Sequence, residues 1–423
     1  MEHDVIVVGG GASGLMAACT AAERGRKVLL LEKMDQAGRK LRITGKGRCN
    51  LTNTNPLRDT LPHIGSSSAG STKKPGQGGV WLRNAYGRFF APELMEWFEQ
   101  HDVALTVERG NRVFPASGKA LDIFLALIGE LEQNPNVTIR KNTSVKKIET
   151  FEGQATAVIT DRNERITCRH IILATGGLSY PTTGSTGAGY RMAKELGHTV
   201  FEPVPSLVAL RCEEDIPEEL VGFQLKNVKL TVCGQQASDS KEFFGEMTFT
   251  DDGLAGPIVL SASRILTRAL HEGNTCTAIL DLKPALNAEQ LDRRLLADID
   301  ANGTRIFNDA LRMWLPAELI PLALKQLHIE YYKRLHQLTG EERRRLRDWL
   351  KGVRFTLTGT HDWNEAVVTQ GGVSLAEVNP KTMESRLVTG LYIVGELLDL
   401  DADTGGYNLQ IAFSTGHAAG EAV

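Results

Sequence analysis

Three glycines near the start of the chain have the spacing of a dinucleotide-binding turn. Gly9, Gly11 and Gly14 form a G-x-G-x-x-G pattern. The first permits a tight turn, the second lets a diphosphate approach the backbone, and the third lets a helix pack closely on a strand. Glu32 stands about 20 residues further on, where a carboxylate can accept the hydroxyls of an adenosine ribose. The glycines and the acid together favour dinucleotide binding over an ordinary glycine-rich turn. An acid here, rather than an arginine, favours an unphosphorylated ribose, as in FAD or NAD, over that of NADP.

The elements around these glycines are predicted from local periodicity. Residues 4–8 form an apolar, β-branched run that indicates a buried strand. Residues 13–24 have helical periodicity, and Gly25 ends the helix. Residues 27–31 are predicted to be a second buried strand that delivers Glu32. We therefore expect Ala12 and Ser13, with the glycines, to hold the diphosphate at the start of the helix.

A basic segment follows. Five cationic side chains lie between residues 39 and 48, interspersed with Gly38, Gly45 and Gly47. Glycine lets the backbone touch a ligand, and cations suit its phosphates. The alternative is a solvated basic surface loop.

One further stretch of small residues is predicted to return to the cofactor. Ala174, Thr175 and Gly176 follow a strand predicted over 165–172, and small residues there let the backbone pass beside the cofactor. The glycine-rich loop 180–189 precedes a helix but has no βαβ unit of its own, which argues against a second nucleotide domain.

Near the end of the chain, a strand is predicted to deliver Gly395 and Glu396, and Gly405 and Gly406 open the last helix near Asn408. A helix start aimed at a flavin stabilises the negative charge of its reduced form. Glu396 is expected to bond the ribitol hydroxyls. The alternative is a helix that merely packs.

The middle of the chain has a different character. A β-rich insertion is predicted from about residue 199, with a strand over 207–211 and a turn over 246–257, and residues 287–350 are helical in composition. The charged run 341–345 indicates a solvated helix face. The low-complexity stretch 65–79 is expected to move, either as a lid or as a floppy insertion.

Composition excludes several function classes. The chain has 423 residues, 42% of them hydrophobic, and a formal net charge of −3, which gives no global attraction to nucleic acid. Its six cysteines form no C-x-x-C pair, which favours reduced thiols over a metal or disulfide site. No signal peptide or membrane span is predicted, so a cytoplasmic protein is expected.

Taken together, these motifs resemble a known family, the bacterial YhiN-like NAD(P)/FAD-dependent oxidoreductases, which include aminoacetone-oxidase-like and bile-acid-reductase-like members. The matching motifs span nearly the whole chain: V-V-G-G-G-A-S-G (7–14), G-R-K-L-R-I-T-G-K-G-R-C-N-L-T-N (38–53), R-V-F-P-A-S-G-K-A (112–120), A-T-G-G-L-S-Y-P (174–181), P-K-T-M-E-S (380–385) and T-G-G-Y-N-L-Q (404–410).

The resemblance implies an α/β fold, in which a Rossmann-like FAD-binding domain of the two-dinucleotide-fold type carries a β-barrel-like insertion with a helical subdomain. The expected domains are 1–197 with 355–423, 198–285 with about 351–358, and 286–350. One departure means that substrate choice is not carried over from the family, because the family's T-H-F-G-L-S-G-P appears here as T-D-D-G-L-A-G-P over 250–257. The cofactor-binding residues expected from the motifs and the resemblance are Gly9, Gly11, Ala12, Ser13, Gly14, Glu32, Lys33, Arg39, Lys40, Thr44, Gly45, Gly47, Val145 (through its backbone), Ala174, Thr175, Gly176, Gly395, Glu396, Gly405, Gly406, Tyr407, Asn408 and Leu409.

The expected activity is hydride transfer through N5 of a tightly but non-covalently held FAD, with NADH or NADPH as electron donor and a small organic substrate. No nucleic-acid or membrane partner is expected, and the oligomeric state is left open. The alternatives are a peroxide-forming amine oxidase and a non-catalytic flavin- or RNA-binding protein. Tyr180, His361 and His417 are possible proton donors, but none is assigned a catalytic role.

Overall fold

The computed structural model describes residues 3–67, 77–233 and 240–423. Most of the low-complexity stretch 65–79 therefore lies outside the described residues, and with it the prediction that this stretch moves. The chain separates into a terminal unit, residues 1–205 and 363–423, and an inserted unit, residues 206–362. Among the described helices, none is both long enough and apolar enough to cross a lipid bilayer.

Strands and helices alternate at both ends of the chain. The strands are β1 (Val5–Val8), β2 (Val28–Leu31), β3 (Thr52–Asn53), β4 (Ile64–Gly65), β5 (Leu105–Glu108), β6 (Arg112–Pro115), β7 (Val137–Arg140), β8 (Val145–Phe151), β9 (Gln154–Thr160), β10 (Arg165–Thr167), β11 (His170–Leu173), β12 (Val200–Ser206), β13 (Leu210–Cys212), β14 (Gln224–Cys233), β15 (Lys241–Phe249), β16 (Gly253–Ala255), β17 (Cys276–Asp281), β18 (Val353–Thr360), β19 (Val368–Val373), β20 (Leu391–Ile393) and β21 (Asp401–Ala402). The helices are α1 (Ala12–Glu23), α2 (Arg39–Gly47), α3 (Leu57–Thr60), α4 (Gln77–Tyr86), α5 (Ala91–Gln100), α6 (Ala120–Gln133), α7 (Ala188–Glu195), α8 (Pro257–His271), α9 (Ala288–Ala301), α10 (Phe307–Ala310), α11 (Ile320–Leu327), α12 (Gly340–Lys351) and α13 (Tyr407–Ala422).

The terminal unit is built on a five-stranded parallel sheet in the order β20-β11-β1-β2-β7. Every residue of β1 and β2 is buried, which explains why their sequences are continuously apolar and do not alternate. The strands of this sheet come from both ends of the chain, since β1 lies near the start and β20 lies beyond residue 390.

The first and last helices pack against each other at backbone distance. A Cβ at Gly416 of α13 would overlap the carbonyl oxygen of Ser13 on α1, and a Cβ at Gly420 would lie 2.7 Å from the carbonyl oxygen of Ala17. Small residues on both helices therefore allow an approach that any side chain would prevent. This packing places the starts of α1 and α13 in one structural unit.

The inserted unit is a closed six-stranded barrel in the order β13-β16-β15-β14-β17-β18. Its core continues into the helices that follow, because Leu291 of α9 and Leu346 of α12 belong to the same buried cluster as Leu230 and Phe355 of the barrel. The predicted β-rich insertion is thus a barrel, as the resemblance implied.

Three local predictions are wrong. The predicted strand 165–172 is two strands, β10 and β11. The backbone N–H of Cys168 donates to the carbonyl of Thr156, whereas that of His170 donates to the carbonyl of Asp4, so the second strand joins the parallel sheet. The strand predicted over 207–211 begins at Leu210, since Leu207 has a left-handed backbone with φ of 51°. The turn predicted over 246–257 contains the end of β15 and all of β16.

Candidate functional site

The predicted cofactor segments meet at one edge of the parallel sheet. Strands β1, β2, β11 and β20 run in the same direction, so the residues that follow them emerge together. A Cβ at Gly9 would lie 2.9 Å from the carbonyl carbon of Ala174, and one at Gly395 would lie 2.9 Å from Cβ of Ser13. In parallel α/β sheets, this carboxyl edge is where ligands bind.

The start of α1 has the features of an anion site. Gly11 is its N-cap, no side chain caps the helix, and the first turn carries no acidic residue. The first N–H groups of a helix have no partners within it, and its dipole favours negative charge. A Cβ built on Gly11 meets nothing within 4 Å, so the space beside this turn is open. By contrast, a Cβ at Gly14 would overlap the carbonyl oxygen of Gly9, which makes Gly14 a packing glycine.

Glu32 is held rigidly at the end of β2. Its Oε2 accepts the backbone N–H of Gly10 at 2.8 Å and its Oε1 accepts that of Met34 at 2.8 Å. The side chain is buried, yet each carboxylate oxygen keeps a further lone pair for a hydroxyl donor. The backbone of Thr143 donates to the carbonyl of Glu32 at 2.9 Å, which brings the predicted residue Val145, at the start of β8, to the same edge.

The basic segment is helical at its start and is not the solvated surface loop that was the alternative to a ligand-binding segment. Residues from Arg39 form the first turn of α2, and the helix breaks at Gly45 and Lys46, which both have left-handed backbones with φ of 58°. Thr44 bonds the carbonyl of Leu41 at 2.6 Å and closes the turn. A Cβ at Gly47 would meet nothing within 4 Å, so this part of the segment faces open space.

A lysine and a glutamate from distant parts of the chain form an ion pair beside this segment. Lys40 Nζ donates to Glu396 Oε2 at 2.7 Å and to Ser179 Oγ at 2.5 Å. Glu396 Oε1 also accepts from Ser179 Oγ at 2.9 Å and from the backbone N–H of Thr369 at 2.8 Å. Burial raises the pKa of the Glu396 carboxyl, but Lys40 and the other donors outweigh burial and hold the pKa below its ordinary value. Protein donors thus surround the group that the sequence assigned to ribitol hydroxyls.

The segment after β11 passes close to this pair. Ala174 is buried, Gly176 has a positive φ of 70°, and the Thr175 hydroxyl is buried without a hydrogen-bond partner among the described residues. A Cβ on Gly189 would overlap that hydroxyl, so it lies against α7.

The start of α13 is shaped by two glycines. Gly406 is the N-cap, with a left-handed φ of 99°, and no side chain caps the helix. A Cβ there would overlap the carbonyl oxygen of Thr52, and a Cβ on Gly405 would lie 3.1 Å from the ring of Tyr407. Asn408 bonds both the N–H and the C=O of Ala402 at 2.9 Å, so its side chain shapes the preceding turn.

Several predicted residues have side chains engaged elsewhere. Lys33 donates to Thr186 at 2.7 Å, and burial lowers its pKa. Arg39 forms an exposed ion pair with Asp35 at 3.6 Å. The partly buried Leu409 packs against the core of the terminal unit.

The three suggested proton donors lie in different places. His361 belongs to the inserted unit, where its Nε2 is 2.8 Å from Asp252 Oδ1. His417 lies along α13, stacked on Phe89 at 4.1 Å. Tyr180 lies next to Ser179 and has a left-handed backbone with φ of 52°.

The model of the HI0933-like protein Rossmann domain matches residues 3–422. The chain belongs to this family. It is 32% identical to the 3-dehydro-bile acid delta(4,6)-reductase of Clostridium scindens over 98% of both chains. It is 29% identical to the ribosomal RNA dihydrouridine synthase of Escherichia coli, over 99% of this chain and 98% of that one. Among solved structures, a 3-ketosteroid-delta4-(5alpha)-dehydrogenase of Rhodococcus jostii is 14% identical, with a TM-score of 0.47 over 99% of this chain and 96% of that one.

The protein is therefore a flavoprotein, an FAD-dependent oxidoreductase with a Rossmann-type fold, as the sequence motifs indicated. Sequence reasoning missed four polar residues near these segments. Ser179 and Thr369 complete the shell around Glu396, while His63 and Asp403 form a pair at the start of α13. The motif L-S-Y-P contains Ser179, but no local pattern signals the other three.

Proposed function

We propose that this protein is an NAD(P)H-linked reductase that saturates a carbon–carbon double bond conjugated to a carbonyl in a small organic substrate. The full-length similarity to a 3-dehydro-bile acid delta(4,6)-reductase carries the substrate class. A delta-4 double bond beside a 3-oxo group is such a conjugated bond. A bile acid also has the size of a small organic molecule.

The described residues fit FAD. The uncapped start of α1, with open space at Gly11, would hold the diphosphate, and Glu32 would accept the adenosine ribose hydroxyls. The start of α13 would stabilise negative charge on the isoalloxazine. When bound, FAD supplies a carrier that takes hydride from one molecule and gives it to another.

Lys40 and Glu396 have a positioning part in this proposal. Because Glu396 already accepts three protein donors, we assign it the task of fixing the Lys40 ammonium at the sheet edge. Lys40 has three N–H donors, two of which bond Glu396 and Ser179. Its third donor has no partner among the described residues and is the group we assign to a cofactor oxygen.

Two half-reactions test the proposal. Purified protein with bound FAD is mixed anaerobically with NADH or with NADPH, and the flavin absorbance is followed. We expect bleaching by one of the two, and return of the absorbance on adding androst-4-ene-3,17-dione, whose double bond becomes saturated. Bleaching by an amine such as aminoacetone, with peroxide formed in air and no response to either nicotinamide, would instead identify an amine oxidase.

A second candidate has the same chemistry on a different substrate. Dihydrouridine is uridine whose ring double bond, conjugated to a carbonyl, has been reduced, and the relative of that name matches 99% of this chain. Incubating the protein and NADPH with a ribosomal RNA transcript, and measuring dihydrouridine by mass spectrometry, separates the two. Dihydrouridine formation with no turnover of the enone would replace the small-molecule proposal.

A further inference from the structure

A histidine and an aspartate form a pair beside the start of α13. His63 Nδ1 lies 2.8 Å from Asp403 Oδ2. The His63 ring stacks on Tyr407, the first residue of α13, with ring centroids 4.6 Å apart and planes only 10° from parallel. The His63 side chain is 39% exposed. A pair that combines a titratable ring, a carboxylate and solvent access is suited to proton transfer.

The backbone fixes this pair. Strand β4 pairs antiparallel with β21, and just beyond the ladder the Asp403 N–H donates to the carbonyl of His63 at 3.0 Å. Asn408 bonds the backbone of Ala402 and so holds the turn between β21 and α13. The position of His63 relative to the helix start therefore does not depend on side-chain packing alone.

The two ring nitrogens of His63 differ in their hydrogen bonding. Nδ1 bonds Asp403, whereas Nε2 has no hydrogen-bond partner in the part of the chain that the structure describes. A carboxylate on Nδ1 orients the ring and sets its tautomer, which leaves Nε2 to exchange a proton with another group.

Other histidines of the terminal unit have the features of structural residues. His198 is buried and uses both nitrogens, with Glu377 at 3.2 Å and Ser385 at 2.9 Å. His101 bonds the carbonyl of Trp97 through Nδ1 and faces Glu130 through Nε2. His63 differs from both in its exposure and in its unengaged nitrogen.

We propose that His63 is the proton donor of the reduction and that Asp403 is its positioning residue, an assignment that rests on the proposed function. The substrate π bond breaks and two C–H bonds form. The carbon β to the carbonyl receives a hydride, whose electron pair comes from NAD(P)H as it becomes NAD(P)+. The carbon α to the carbonyl receives a proton from Nε2 of the His63 imidazolium, which becomes the neutral ring protonated on Nδ1. The exposed ring then regains its proton from water.

Two other residues of α13 fit this role less well. His417 lies ten residues beyond Tyr407, which puts it roughly 15 Å along the axis of α13 from the helix start. Tyr407 itself is buried, and its hydroxyl accepts from Asn55 at 3.0 Å. Tyr180, beside the Lys40–Glu396 pair, is the residue against which His63 must be tested.

The experiment separates proton donation from electron transfer. In His63→Gln, we expect flavin bleaching by the nicotinamide, and reoxidation by ferricyanide, at rates within about twofold of the parent. Reduction of androst-4-ene-3,17-dione should fall by about 10²–10⁴-fold, the usual contribution of a positioned acid. In His63→Ala, added imidazole should restore part of the rate. Tyr180→Phe is the matched control and should keep the enone activity.

A second readout needs neither cofactor nor substrate. In the FAD-free protein at high pH, the ¹⁵N spectrum should show the neutral His63 ring protonated on Nδ1. In Asp403→Asn, the proton should shift toward Nε2, and Asp403→Glu should restore the parent tautomer.

Each outcome decides the assignment. Loss of enone reduction with intact ferricyanide reoxidation, and rescue by imidazole, supports it. Full enone activity in His63→Gln overturns it while leaving the proposed function standing, and loss in Tyr180→Phe alone would move the role to Tyr180. Loss of FAD binding or of folding in both His63 variants would show a structural role and overturn it. A parent protein that reduces no enone refutes the proposed function, and this assignment falls with it.

Discussion

Replacing Lys40 with Met should destabilise the terminal unit because it leaves the partly buried Glu396 carboxylate with only neutral donors. The pair lies at 2.7 Å, and the two side chains are 22% and 20% exposed. Two unit charges 4 Å apart attract by about 4 kcal/mol at an effective dielectric constant of about 20. Breaking such a pair on one side costs about 3–5 kcal/mol when it is fully buried. Since this pair is partly exposed, we expect Lys40→Met to lower the free energy of unfolding by about 2–4 kcal/mol.

The double variant measures the interaction itself. Glu396→Gln keeps a side chain of the same size, and combining it with Lys40→Met removes both charges together. We expect the double variant to lose about 1–3 kcal/mol less stability than the two single losses added together, as for residues in one buried network. Urea unfolding of the FAD-free proteins, followed by tryptophan fluorescence, gives the four values, because bound FAD would add a stability that depends on the affinity of each variant.

The pH dependence has a defined sign. In the folded protein, the pKa of Glu396 is lowered from 4.5 because Lys40 and the other donors outweigh burial. The stability that this carboxylate contributes is therefore present above its unfolded pKa and is lost as the pH falls through the folded pKa. The difference between parent and Lys40→Met should shrink below about pH 4.5. Strict additivity at pH 7, within about 0.5 kcal/mol, would refute the reasoning.

Two further predictions concern packing. In thermal unfolding, Gly14→Ala should cost about 3 kcal/mol or more of stability, because the new methyl group would overlap the carbonyl oxygen of Gly9. The control is Gly129→Ala on α6, where a Cβ meets nothing within 4 Å. This control should stabilise the protein slightly in the same assay. The thiols of Cys49 and Cys168 should remain unlabelled by Ellman's reagent at pH 8 until urea unfolds the chain, since both are buried and burial raises the pKa of each to about 12; rapid labelling of either thiol in the folded protein would contradict this.

The parts of the site that sequence could predict are those set by local chemistry. The turn at Gly9 to Gly14, helix α1 and strand β2 follow from glycine spacing and apolar runs within one short stretch, and the structure confirms those elements. The start of α13 after Gly406 is equally local.

What sequence could not supply are contacts between distant residues. The partner of Glu396 lies 356 positions away at Lys40, and that of His63 lies 340 positions away at Asp403. No periodicity connects such residues; only the order of strands in the sheets does. The helical start of the basic segment was equally out of reach, because its glycines and cations carry no helical signal, while Leu41 is buried and α2 begins at Arg39.

The order of strands in the parallel sheet also bears on how the nascent chain matures. Strand β11 can pair with β1 as soon as both have left the ribosome, but its other edge stays bare until β20 is made. The residues of the barrel are all translated before β20, so the barrel of the inserted unit can fold while the parallel sheet of the terminal unit still lacks that strand. An unpaired strand edge can pair with the strands of other chains. We therefore expect nascent chains stalled on the ribosome after residue 362 to be the most prone to aggregation and the most dependent on chaperones.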